Sequence, residues 1–136
     1  MKTMIVCVPC GVTLEQVCGD LLAAGYDVES VRHRLTVSQV NLLAWIEVDV
    51  DGELEREYES NERTLIEGIV GEWHAFMIDY LSLESADAVI AIISRSWPCV
   101  VDNDDDDFFW GRRRRTFRVT DRGLALPCMW GLCGNG

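Results

Sequence analysis

Apolar residues run unbroken over positions 4–8, and the spacing then changes to a period near 3.6 with Leu14, Val17, Cys18, Leu21 and Leu22. The first pattern predicts a short buried strand and the second an amphipathic helix. Thr13 with Gln16 three positions later is a capping-box pair for the helix start, and Gly25 supplies the left-handed residue that ends it. In YDVESVRHRLTV, residues 26–37, Val28 and Val31 stand among polar residues and predict one strand. NLLAWIEVDV, residues 41–50, predicts a stronger one.

Asp51 and Gly52 then suggest a hairpin, and side-chain parity selects its loop. A two-residue loop would set Ile46, Val48 and Val50 beside Glu57, Glu55 and Glu53, an apolar column against a charged one. A three-residue loop, residues 51–53, pairs Ile46 with Tyr58, Val48 with Arg56 and Val50 with Leu54 instead, with Gly52 free to take positive φ. The other face then opposes Glu47 to Glu57 and Asp49 to Glu55. Each like-charge pair destabilises by up to about 1 kcal/mol, and a basic partner would relieve that cost.

Leu65, Ile66, Ile69, Val70 and Trp73 recur at helical spacing, predicting a helix from Asn61 to near Trp73 that Gly68 and Gly71 weaken. Phe76, Ile78 and Tyr80 alternate as a strand, Ser85 is a candidate cap for a helix carrying Ala88, Val89, Ile92 and Ile93, and WPCVVD reads as a short buried strand. This order implies an α+β class: a single domain over residues 1–136, with an antiparallel or mixed sheet and two to three helices packed on it. A ferredoxin-like arrangement with an added helix and strand is the candidate topology. Residues 112–136 form a loosely assigned C-terminal extension.

Composition narrows the function classes. Hydrophobic residues make up 49% and charged residues 26%, a globular balance too apolar for a disordered chain. The formal net charge is −11, and residues 1–111 hold 22 of the 23 acids against six of the twelve bases; the other six, all arginine, fall in residues 112–122. Such a body repels nucleic-acid phosphates and anionic membranes and attracts basic protein. No stretch is long enough to span a bilayer, and the apolar opening is about half the length of a signal core with its flanks, so a cytoplasmic location is expected.

In that compartment six cysteines are reduced thiols before they are disulfides. In CVPCG, Cys7 falls within the first strand and Cys10 lies three residues before the helix cap at Thr13, so neither sits at the helix N-terminus that a redox thiolate requires. The two pairs Cys7/Cys10 and Cys128/Cys133 could together close a tetrahedral zinc site; buried structural cysteine is the plainer reading, with no cofactor. His33 and His74 have no ligand spacing, and no phosphate-cradling or nucleophile-elbow motif occurs. DNDDDDFFWGRRRR, residues 102–115, resembles a calcium loop only in composition, lacking the glycine and glutamate of an EF-hand. Its aromatics and arginines suggest a platform for single-stranded nucleic acid, but the acidic run is close enough to neutralise the arginine run within the chain.

The expected function is therefore a non-enzymatic acidic protein-binding domain, most concretely an immunity or antitoxin-type inhibitor occluding a basic bacterial toxin or nuclease. It would act as a monomer or weak homodimer, binding no nucleic acid and no membrane. Its expected partner-binding residues are Glu47, Asp49, Glu55, Glu57 and Glu59, with some of the five tryptophans as anchors. A single lysine against eleven arginines is an associational pointer to a GC-rich bacterial coding background. The alternatives are a zinc-stabilised or thiol-dependent module and a small enzyme with a dispersed site.

Overall fold

The computed structural model describes residues 1–103, 108–109 and 118–120. In chain order the elements are β1 (Lys2–Pro9), α1 (Leu14–Ala23), β2 (Asp27–Val31), β3 (Arg34–Gln39), β4 (Leu42–Val48), α2 (Glu53–Arg56), α3 (Ser60–Val70), β5 (Trp73–Tyr80), α4 (Leu83–Ser96), β6 (Cys99–Asn103), β7 (Phe108–Phe109) and β8 (Arg118–Thr120). The six longer strands form an antiparallel sheet in the order β2-β3-β4-β5-β1-β6, extended by β7 and β8, which both pair with β6. The α+β class expected from the sequence is what the chain adopts. The ferredoxin-like detail stays an expectation: the order β4-β5-β1-β6, with α1 and α4 on one face, carries two further strands, β2 and β3, at one edge and a helical segment, α2 and α3, between β4 and β5.

Pleating divides the side chains cleanly. Met4, Val6 and Val8 of β1, Leu35 and Val37 of β3, Ala44 and Ile46 of β4, and Phe76 and Ile78 of β5 are buried beneath Val17 and Leu21 of α1 and Val89, Ile90 and Ile93 of α4. This is the principal core. The alternate residues Ile5, Cys7, Trp73, Ala75 and Val100 form a second cluster on the opposite face, covered by Ile66 and Val70 of α3 with Leu54 and Tyr58. Strands β1, β5 and β6 are thus buried on both faces, which accounts for the unbroken apolar run at positions 4–8.

The sequence signals at α1 hold in detail: the Thr13 N–H donates to Gln16 Oε1 (2.9 Å), the Gln16 N–H to Thr13 Oγ1 (3.2 Å), and Gly25 has φ +98°. Four expectations shift. Residues 26–37 are not one strand but a hairpin, β2 and β3, turning at Arg32 and His33 with Arg32 at φ +56°. The cap of α4 is Ser82, not Ser85; Ser85 lies inside the helix, where its buried hydroxyl meets Ser82 Oγ and accepts from the Leu43 N–H. Helix α3 stops at Val70, and Trp73 opens β5.

The fourth shift bears on function. No hairpin forms at Asp51–Glu53, because β4 already has β3 on one edge and β5 on the other and cannot accept residues 53–59 as a further partner. The chain instead turns through Gly52 at φ +69° into the single turn of α2, which puts Leu54 and Tyr58 on the second cluster. The Glu47–Glu57 and Asp49–Glu55 oppositions therefore do not exist, and the cost ascribed to them lapses.

Candidate functional site

Helices α1 and α4 cover the core face of the sheet, and among the described residues α2 and α3 pack on the other face at its β5-β1-β6 end. Over β2, β3 and β4 no helix among the described residues lies on that second face. Register builds its surface row by row. One row runs Glu29, Thr36, Trp45, Asp79, Thr3 across β2, β3, β4, β5 and β1; the next runs Val31, Arg34, Glu47, Met77, Ile5. Ile5 is where the row passes under the helices. Trp45, Met77 and Arg34 are half-buried, Glu29 and Val31 exposed.

Arg34 lies over the Trp45 ring, its guanidinium carbon 5.7 Å from the centroid. Its Nη1 is 3.8 Å from Glu47 Oε1 and its Nη2 4.0 Å from Asp79 Oδ2, and Asp79 Oδ1 accepts a 2.7 Å hydrogen bond from Thr3 Oγ1. Asp79 is therefore oriented by a neighbour, whereas Arg34 makes long, half-exposed ion pairs of a kind that contribute at most about 1 kcal/mol.

Beside this floor stands an acidic wall. Residues 49–72 carry nine carboxylates against two arginines, Arg56 and Arg63, and they supply α2, α3 and their connections. The wall is pinned by aromatic and polar contacts: the Tyr58 hydroxyl donates to Asp102 Oδ2 (2.7 Å), and its ring meets Trp73 edge-on at 5.8 Å.

The five carboxylates expected to bind a partner do not share one hairpin face. Glu47 is on the floor, Asp49 in the turn, Glu55 on α2, and Glu57 and Glu59 in the exposed link to α3. Two of them have local duties. Asp49 accepts from the Glu53 N–H at Oδ1 (3.1 Å) and the Leu54 N–H at Oδ2 (2.9 Å), and Glu59 forms a capping box with Glu62, its backbone N–H donating to Glu62 Oε1 (2.8 Å). Loss of a capping carboxylate costs about 0.5–2 kcal/mol. Asp49→Ala is accordingly expected to lower unfolding stability by that amount, while Glu57→Ala leaves it nearly unchanged in the same urea titration. Arg34, Trp45 and Asp79 were not legible as a site, since only register brings residues from three strands together; the alternation of Trp45 with buried Ala44 and Ile46 was the one available signal.

The cysteines divide by exposure. Cys7 is fully buried beneath the wall, and burial first, then the Asp102 carboxylate, Cys99 and Glu55, push its thiol well above the ordinary range against a hydrogen bond from Tyr58. Cys10 is exposed in the following turn, and partial desolvation, then Glu72 and Glu55, raise its thiol too. Both shifts oppose the thiolate that zinc binding or redox chemistry needs. No group of three or more potential metal ligands occurs among the described residues; Cys128 and Cys133 lie outside them, as do the aspartate run 104–107 and the arginine run 112–115. His74 Nε2 donates to the Val12 carbonyl (2.7 Å) with its ring edge-on to Phe76, a structural role, and His33 is exposed in the β2–β3 turn.

Among the described residues, no helix is long and apolar enough to cross a membrane. Comparison with protein-family models, with curated protein sequences and with solved structures finds no match to this chain. The α+β fold and the acidic face left open by the described residues are thus the ground for any functional reading.

Proposed function

We propose that the protein is a non-enzymatic, acidic protein-binding domain of the immunity or antitoxin type, which occludes a basic partner. The observation that supports it is the juxtaposition of a sheet face that bears an indole and that no helix among the described residues covers with a wall of nine carboxylates and two arginines. A half-buried tryptophan ringed by polar groups is a common anchor at interfaces. A one-sign charge field accelerates the encounter with a cationic surface by tenfold to a thousandfold at low salt. The docking set retains Glu47, Glu55, Glu57 and Glu59. Asp49 belongs with it by position, but its duty to α2 makes it a poor probe; Glu59→Gln keeps an oxygen that can accept at the start of α3.

The test begins with capture of a basic protein at low salt, followed by its purification and association-rate measurements across a salt series. Replacing Glu47, Glu55, Glu57 and Glu59 with glutamine is expected to slow association about tenfold or more at low ionic strength, with the two proteins converging as salt screens the field. The unmodified protein should also suppress the partner's own activity at equimolar concentration. Equal rates for both proteins at every salt concentration would show the carboxylates to be solvated surface only.

A further inference from the structure

We propose that the floor of the open face is a seat for a guanidinium group, formed by the Trp45 ring with the Glu47 and Asp79 carboxylates, and that Arg34 fills it in the free protein until an arginine of the partner takes its place. This rests on the reading of the protein as a binder of basic protein and names the chemistry that it recognises.

Three observations carry it. The seat already holds its ligand class: a guanidinium lies 5.7 Å from the indole centroid and within 4.0 Å of two carboxylates on neighbouring strands. A planar guanidinium stacks on an aromatic face while its edge meets carboxylates, a combination that a compact ammonium matches less well. The resident is also loosely held. Its contacts to Glu47 and Asp79, 3.8 and 4.0 Å, are about 1 Å longer than direct charge-assisted hydrogen bonds, and 39% of its side chain stays exposed. The receptor, by contrast, is prepared: Thr3 holds Asp79, whose side chain is only 18% exposed.

The third observation is surplus charge around the seat. Glu29 shares the Trp45 row, and Asp27 lies on the same face one row further along β2, so among the described residues the floor sets Asp27, Glu29, Glu47 and Asp79 against Arg34. An incoming basic segment can displace Arg34 and still find carboxylates for a second cationic side chain. Excess negative charge disfavours a second copy of this chain as the occupant and favours an arginine-rich protein segment.

The probe is a capped hexa-arginine peptide, with hexalysine of equal charge as control, titrated at low salt against the full chain. Binding is followed by anisotropy of the labelled peptide and by indole N–H resonances, that of Trp45 assigned from its loss in Trp45→Leu. Hexa-arginine should move the Trp45 resonance and bind more tightly than hexalysine. Trp45→Leu should weaken hexa-arginine about two- to fivefold, the range of an exposed cation–π contact, and hexalysine less. Asp79→Asn should weaken it too, while Arg34→Gln, by vacating the seat, should strengthen it, each variant being checked for a native circular dichroism spectrum.

If both peptides bind equally, ignore Trp45, Asp79 and Arg34, and weaken only when Glu55, Glu57 and Glu59 are replaced with glutamine, the seat is refuted and the acidic docking reading stands. If the folded protein binds neither peptide, both fall. If Arg34→Gln binds hexa-arginine no more tightly than the unmodified protein, Arg34 does not occupy the seat and the displacement proposal is overturned.

Discussion

Phe76→Ala should destabilise the protein by about 3–5 kcal/mol, whereas Met77→Ala, one residue along the same strand, should cost less than about 1 kcal/mol. Phe76 is among the largest fully buried side chains; in register it lies between Val6 of β1 and Val48 of β4, and its ring meets that of His74 edge-on at 5.0 Å. Removing a phenyl ring from such a site loses the transfer energy of its carbons and leaves a cavity that neighbouring strands close only in part. Met77 points to the opposite face, beside Glu47, where it is half-buried and water can replace the lost side chain. Since domains of this size are stable by only about 5–15 kcal/mol, the first change removes a large share of the total. Urea unfolding of the two variants measures the asymmetry directly. Equal losses would mean that the second face of β5 is also sealed, and the open floor would then not be available to a partner.

A second large effect is expected on the alkaline side. Below the ordinary thiol range, Cys7 keeps its proton in both the folded and the unfolded chain and does not make stability depend on pH. Above about pH 8.5 the unfolded thiol ionises, while burial, Asp102, Cys99 and Glu55 hold the folded one neutral to much higher pH. The folded state then binds one more proton than the unfolded state, so stability falls by up to about 1.4 kcal/mol for each further pH unit. Cys7→Ala abolishes this contribution. Its stability should be somewhat lower at neutral pH and should decline less steeply between about pH 9 and 10.5, with all other titrating groups common to both proteins. Mass-resolved alkylation gives a parallel readout: under native conditions Cys10 reacts and Cys7 is protected until the chain opens. Identical alkaline slopes, or equal labelling of the two thiols, would show Cys7 to be accessible and would reopen the thiol-dependent reading.

The strands and helices that carry their own punctuation were legible from local pattern. The first strand, the Thr13–Gln16 cap, the stop at Gly25, the apolar period of α3 and the alternation of Phe76, Ile78 and Tyr80 all follow from interactions within a few residues of one another. Local physics failed where an element depended on who its neighbours were. Residues 51–59 have hairpin parity, but β4 is an interior strand with both edges occupied, and the segment took the helical route that Asp49 caps and Leu54 and Tyr58 anchor. The turn at Arg32 places a non-glycine residue at positive φ, where sequence preference argues against a turn and the pairing of β2 with β3 imposes one.

The same division applies to the site. Composition by itself determined that the chain is acidic and that any partner drawn to it by charge is basic, because net charge acts at long range and needs no geometry. Which carboxylates meet, and around what, was decided only by tertiary structure. Arg34, Trp45 and Asp79 are far apart in the chain and become neighbours through the register of β3, β4 and β5, and no helix among the described residues covers the face they share, because α1 and α4 both pack on the other side of the sheet. A one-residue slip of any of these strands would send its side chains to the core and dismantle the seat.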